Sequence, residues 1–375
     1  MGLSGGVDSS VAAYLLKQQG FDVIGIFMKN WEETAEPDAS SACTYAADLA
    51  DVEQVCQRLE IPLYTINFSL EYWENVFDHF LKAYAAGYTP NPDILCNKEI
   101  KFKLFLQYAE SLKATHIATG HYAGIQVDAQ GPWLTRALDR NKDQTYFLAA
   151  INKAVLPRVH FPLQHITKPE VRGIAAQIGL PNHAKKDSTG ICFIGERRFQ
   201  QFLSQYVTAQ PGLIKTPNDE ILGEHPGVLY FTLGQRKGIQ IGGVKGAQEK
   251  PWYVIGKDNT TNTLYVTQDA EHPWQFSKTL LATEANDLTP YELPTQFRAT
   301  AAVRYRQEPI PVMVHRQDAQ SWLITFDEPQ KAVTPGQTVV LYEADRCLGG
   351  ATIRRTDSPG GILNLKKGLL HAHPR

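Results

Sequence analysis

Through residues 1–206, short apolar runs alternate with stretches of helical periodicity, which predicts a parallel α/β sheet. The run FDVIGIF at 21–27 reads as a buried strand. Ahead of it, 11–19 puts Ala12, Leu15 and Leu16 on one face and stops at Gly20, the pattern of a helix with glycine just past its end. Further helices are expected over 46–59, 72–84, 100–112, 168–178 and 199–206, and strands over 63–68 and 116–119. The aromatics within 72–84 recur at helical spacing, which marks a face turned to the core rather than a cofactor contact.

After Pro211 and Gly212 the texture changes. From Gly223 onward, Gly, Thr, Val and aromatic residues dominate and turn dipeptides recur at short intervals, the patterning of β structure. Strands are expected at 252–255, 263–266, 299–305, 310–315, 322–326 and 339–341, with domain boundaries near 207 and 277. A chain of 375 residues has length enough for two or three domains.

Composition changes this picture little. With 43% hydrophobic and 20% charged residues, no run approaches the roughly 18 apolar residues of a membrane span. The opening residues lack a secretory leader's basic and apolar regions. Five cysteines, an odd number, do not read as a secreted disulfide framework, so a cytoplasmic location is expected. A net charge of -2 does not announce a nucleic-acid partner, but phosphate contacts depend on local patches. Such pairs stand at Lys185 and Lys186, Arg197 and Arg198, Arg236 and Lys237, Arg354 and Arg355, and Lys366 and Lys367. Each alone reads as solvated surface.

The candidate chemistry begins at SGGVDSS, residues 4–10. Two glycines permit close backbone approach, and amides at a helix N-terminus favour an anion. The hydroxyls of Ser4, Ser9 and Ser10 are candidate extra donors. A bare Ser-Gly-Gly reads as a helix cap, with Ser or Asp as the capping side chain. No Gly-Lys-Ser/Thr follows, so this is not a Walker A loop. Two thiols stand in settings that favour thiolate. Cys96 follows Asn91, Pro92 and Asp93 near a helix start that Asp93 or Asn97 can cap, with Lys98 and Lys101 close by. Cys192 is flanked by Lys185, Lys186, Arg197 and Arg198. Cys43, Cys56 and Cys347 lack such surroundings, and a lone cysteine is ordinarily a small buried hydrophobe. The absence of a C-x-x-C pair with histidine partners argues against zinc.

The loop 4–10 resembles the signature of the PP-loop ATP pyrophosphatases. With FMKNW (27–31), TPNPDILCNKEIKF (89–102), ATGHYA (118–123), NKDQTYFL (141–148), KKDSTGICFIGERRF (185–199), TLGQRKG (232–238), RYR (304–306) and CLGG (347–350) in order, the chain resembles the bacterial tRNA 2-thiouridylases from end to end. That resemblance implies a Rossmann-like, parallel-sheet PP-loop catalytic domain at 1–206, a small central β-rich domain at 207–276 and a C-terminal tRNA-contacting β-barrel at 277–375. It implies ATP as cofactor, held by Gly2, Leu3, Ser4, Gly5, Gly6, Val7, Asp8, Ser9, Ser10, Met28 and Gly120, with Mg2+ close to Asp8. It also implies Cys192 as persulfide carrier and Cys96 as second thiol, which either releases sulfide from the Cys192 persulfide or resolves an intermediate after direct attack. Either route ends in a transient Cys96–Cys192 disulfide, with Asp93 as the proton-transfer group. Asn91, Pro92 and Asp93 would read the target base, and Lys142, Asp143, Gln144, Arg304 and Tyr305 would contact tRNA. His121 reads as a packing or hydrogen-bonding residue. The implied partners are the anticodon arm of tRNA and a persulfide donor protein, with no membrane, and the chain is expected to be a monomer. Only Met1, Gly2 and Leu3 precede the loop here, where the family pattern has a full first strand. Alternative readings are an amidotransferase-type adenylating enzyme or an inactive tRNA-binding relative.

Alanine at Arg236, Lys237 and Arg304 is expected to weaken tRNA binding and to lower its salt dependence by about one unit of log–log slope per lost phosphate contact. Filter binding across a salt series measures this, and an unchanged slope would contradict it.

Overall fold

The computed structural model describes residues 1–31, 43–187, 199–239, 241 and 250–363. Three parallel strands, Gly2–Leu3, Gly25–Lys29 and Leu63–Asn67, form the sheet under the candidate loop. The expected strand at 21–27 begins four residues later. Pairing starts where neighbours exist, with Gly25 opposite Leu63 and Ile26 opposite Gly2, and an apolar run carries no information about that register. The two residues Gly2 and Leu3 suffice as a strand, because Ile26 N also donates to Met1 O.

Helix Val7–Gln18 lies against helices Cys43–Leu59 and Lys168–Gln177, and together they bury Val11, Ala12, Leu16, Val52, Val55 and Val171. The aromatic stripe in 72–84 is core as expected. Tyr72, Phe77, Phe80 and Tyr84 are buried among residues of the helical stretch 92–111. That stretch starts eight residues earlier than the spacing predicted. Asn91 caps it by accepting from Asp93 N at 3.1 Å, and Pro92 takes the first turn. The cap is therefore neither Asp93 nor Asn97. From Cys96 to Leu104 the stretch winds as a π-helix, a wide turn that recurs at functional sites.

The β half forms two structures. A six-stranded antiparallel barrel comprises Phe276–Asp287, Gln296–Ala302, Ile310–Arg316, Trp322–Lys331, Thr338–Glu343 and Arg346–Thr356, and its first and last strands pair to close it. Val312 and Val314, then Trp322, Ile324 and Phe326, alternate inward and fill it. Among the described residues the central sheet has five strands, of which Gly212–Lys215, Ile221–His225, Tyr253–Asp258 and Thr263–Thr267 come first in the chain. The fifth, Gly361–Leu363, returns from beyond the barrel to pair with 256–258. The hairpin Ala123–Asp128 and Gly131–Arg136 leaves the catalytic domain to extend the barrel sheet, through Thr135 opposite Arg346. The α/β, central β and barrel architecture is thus as expected, with the chain crossing between its parts. No helix among the described residues is long and apolar enough to cross a membrane.

Lys257 is fully buried on a central strand, and its Nζ reaches Gly87 O at 3.4 Å. Burial pushes this amine down to about 7. Because the folded state binds the proton less tightly than the unfolded chain, stability rises as pH increases from about 7 toward the ordinary lysine value, and the cost of burying the charge is full below 7. Lys257→Met is expected to raise the urea midpoint at pH 6–7, with a gain that shrinks by pH 9. A constant gain across that range would contradict the account.

Candidate active site

The loop 4–10 turns on Gly5, whose φ of +76° suits glycine and where an added Cβ would lie 2.8 Å from Asp48 O. Gly6 then caps helix Val7–Gln18 with no side-chain cap, so the helix begins before Ser9 and the Ser or Asp cap is not used. Ser9 Oγ and Ser10 Oγ both donate to Gly6 O, at 3.1 and 2.9 Å. Each hydroxyl has one proton, so these two hold the loop rather than offering donors outward. Ser4, Gly6 and Asp8 are the more open positions, while Gly5, Val7, Ser9 and Ser10 are buried. Asn182 Nδ2 braces the inner side by donating to Gly5 O and Ser10 Oγ, both at 3.0 Å. Gly120 presses against the loop, and a Cβ there would stand 2.7 Å from Ser9 N. The result is a braced loop at a helix N-terminus, where backbone amides and a partial positive charge favour an anion.

Asp8 sits in a charged network. Lys168 Nζ lies 2.7 and 2.8 Å from its two oxygens, and Tyr122 Oη donates to Oδ1 at 2.9 Å. Burial, then the Asp8 charge, pushes the Tyr122 hydroxyl far above its ordinary value, so it stays a donor. Lys168 also meets Asp187 at 2.8 Å, and Asp187 meets Lys142 at 2.7 Å and Arg172 at 2.8 Å. For Asp187, burial opposes ionisation, but the Lys142 and Lys168 ammoniums outweigh it and hold the carboxyl well below the usual range. None of Tyr122, Lys168, Asn182 or Asp187 was singled out from sequence. One signal was present: Lys168 lies within the Thr167–Glu170 capping box, at the first helical position, where the macrodipole disfavours a cation.

The structure brings Met28 and the Cys96 helix to the same wall as the loop. A Cβ on Gly2 would meet Met28 Cε and Phe105 Cε1, each at 3.5 Å. Cys96 is fully buried in the core cluster that also contains Met28. The adjacent Asn97 donates to Phe147 O at 3.0 Å, tying this helix to the 145–148 turn. His121 is buried, 2.8 Å from Thr119 Oγ1, and packs on Phe102 and Phe161. Burial, then Lys101, lowers its pKa well below the ordinary value, so the ring is neutral and packed.

Among the residues expected to meet tRNA, Lys142 reaches the loop network through Asp187. Asp143 is buried: it accepts from Ala137 N at 2.9 Å and Thr145 Oγ1 at 2.7 Å, and burial raises its pKa. Gln144 Oε1 accepts from Tyr122 N. Arg304 is half-buried and donates to Leu233 O and Ala332 O at 2.7 and 2.8 Å, joining barrel to central domain. Tyr305 packs its ring 4.4 Å from that of Phe147. Arg236 and Lys237 are exposed. Cys192, with Arg197 and Arg198, lies outside the described residues.

Comparison with known proteins agrees with this geometry. Residues 1–196 match the family described as the tRNA methyl transferase HUP domain, 200–268 the tRNA methyl transferase PRC-barrel domain, and 277–353 the aminomethyltransferase beta-barrel domain. The chain is 50% identical over 355 residues to a Legionella pneumophila (strain Lens) protein named tRNA-specific 2-thiouridylase MnmA, a match covering 95% of this chain and 98% of that one. A Pseudomonas entomophila (strain L48) protein of the same name is 53% identical over 357 residues, 95% of this chain and 94% of its own length. One from Psychromonas ingrahamii is 54% identical over 356 residues, covering 94% and 96%. With these matches spanning nearly the whole chain, the chain belongs to the tRNA-specific 2-thiouridylase family.

Proposed function

We propose that the chain is a tRNA-uridine 2-sulfurtransferase that activates the wobble uridine with ATP and replaces its C2 oxygen by sulfur. The observation that carries this is the similarity along nearly the whole chain to proteins of that name, and the loop 4–10, Asp93, Cys96 and Cys192 belong to the sequence strings that carry the resemblance. A uridine C2 carbonyl is a poor electrophile and oxide a poor leaving group. ATP supplies the adenylyl group that lets this oxygen depart as AMP. The loop amides and the helix N-terminus hold the pyrophosphate portion, and Met28 and Gly120 bound the nucleotide. Mg2+ finds no ready protein ligand at Asp8, because Lys168 already holds both carboxylate oxygens, and no step is assigned to it.

Cys192 carries the outer sulfur as a persulfide received from a donor protein. The Cys96 thiolate attacks the Cys192 Sγ. The inner S–S bond breaks, hydrosulfide leaves with the bond's electron pair, and a Cys96–Cys192 disulfide remains for a cellular thiol to reduce. Hydrosulfide then attacks C2 and AMP leaves, while Asp93 accepts the proton. Because Cys96 is fully buried, this step requires the surroundings of the thiol to open when tRNA enters. The base must leave its stack to reach the site, where Asn91, Pro92 and Asp93 meet it. Lys142, Arg304 and Tyr305 are assigned to tRNA contact, while Asp143 and Gln144, which accept from Ala137 N and Tyr122 N, act within the fold beside them. The chain acts as a cytoplasmic monomer.

Cys96→Ser and Cys192→Ser are each expected to abolish thiolation, read by mass spectrometry of the wobble nucleoside, while ATP binding persists. Near-normal thiolation by either variant would sink the two-thiol chemistry. Pyrophosphate release should depend on unmodified tRNA. Release indifferent to tRNA would favour an amidotransferase-type enzyme, and none at all a binding protein. Lys168→Met should lower pyrophosphate release at least about tenfold by freeing Asp8 and Asp187 from their shared cation. Unchanged release would remove Lys168 from the nucleotide site.

A further inference from the structure

Thr89 stands two residues before the cap of the Cys96 helix, and its polar groups are bound by the two β domains. Its amide donates to Pro335 O at 3.1 Å, its carbonyl accepts from Gln337 Nε2 at 2.7 Å, and its hydroxyl oxygen accepts from Thr232 Oγ1 at 3.4 Å. Residues 335 and 337 belong to the barrel turn ahead of Thr338–Glu343, and Thr232 to the central domain. That turn packs on Thr89 with nothing between them: a Cβ on Gly336 would lie 2.6 Å from Thr89 N. One residue earlier, Arg354 of the barrel lies over the Tyr88 ring at 5.0 Å and bonds its hydroxyl.

The tether from this anchor to the catalytic helix is short and stiff. Only Pro90 separates Thr89 from Asn91, and Pro92 follows. Each proline fixes its own φ and restricts the residue before it, so both Thr89 and Asn91 are confined. The tether spans about 7 Å at most, and a shift at Thr89 therefore moves the Asn91 cap, and with it Asp93 and Cys96.

We infer that Thr89, with its partners Gln337 and Thr232, is a positioning device through which the two β domains set the place of Asp93 and Cys96 against the target base. Docking of tRNA on those domains is then felt directly at the catalytic helix. This rests on the sulfurtransferase reading above.

The test uses the full chain and two variants made separately, Gln337→Leu and Thr232→Val. Neither change touches the backbone bonds by which Gln337 joins Thr334 and Ile353, so the barrel turn keeps its own support. Thiolation kinetics on unmodified tRNA are measured beside tRNA affinity and thermal unfolding. The expected result is a kcat lowered about tenfold in Gln337→Leu and less in Thr232→Val, with KM and Kd for tRNA within about twofold of the parent and a cooperative melt retained. An unchanged kcat in both variants overturns the inference. So does a loss that appears wholly in KM or in the folded fraction. An unsubstituted chain that neither releases pyrophosphate nor thiolates tRNA overturns the sulfurtransferase reading as well, and the two failures are thereby told apart.

Discussion

Lys168 carries its ammonium nearly out of water, between Asp8 of the loop helix and Asp187, which directly precedes in sequence the stretch bearing Cys192. A cation so placed costs several kcal/mol unless carboxylates meet it, and removal of Asp8 or Asp187 takes away one of the two carboxylates that compensate it. The anion loop, the helix Lys168–Gln177 and residue 187 are therefore held as one unit. Asp187 extends the network to Lys142 and Arg172, so the loop that favours an anion and the side where tRNA is proposed to lie share a single set of charges. The loop itself spends its Ser9 and Ser10 hydroxyls inward, on its own backbone, and offers a ligand amides and field rather than side-chain donors.

A second constraint comes from how the domains are laced together. The hairpin 123–136 extends the barrel sheet, the strand Gly361–Leu363 completes the central sheet, and Asn286 of the barrel donates to Ala149 O and Ile151 O of the catalytic domain, both at 2.9 Å. Tyr146 Oη reaches across to Thr338 O at 2.8 Å. Buried polar groups paired across a seam fix its geometry, since parting the domains would strand them. The helix bearing Cys96 begins at this seam, and under the positioning role proposed for Thr89 the β domains take part in placing Asp93 and Cys96.

Much of this was legible in the residues. The strings at 4–10, 89–102 and 118–123 marked the loop ahead of a helix, the helical stretch bearing Cys96 and the segment packed on the loop, because helix starts and close backbone approach depend on local residue types that sequence displays directly. The aromatic stripe at 72–84 was core for the same reason, since helical spacing alone puts Tyr72, Phe80 and Tyr84 on one side. Other features were misread locally. The 21–27 run slipped by four residues, the helix at Cys96 began earlier and from a different cap, and Asp143 proved to face inward. A hydrophobic run marks burial but not register, and Asn91, Asp93 and Asn97 all carry capping side chains that are separated only by which amide each one meets.

What the sequence determined by itself was therefore the inventory: an α/β half and a β half, a candidate anion loop, two candidate thiols and a candidate acid, and the resemblance that joined them. Only the tertiary structure decided how these act together. Asp8, Lys168 and Asp187 are separated by 160 and 19 positions along the chain, and Thr89 from Gln337 by 248. Charge pairs and hydrogen bonds of a few ångströms between such distant positions arise from packing, so no local pattern of residue types encodes them.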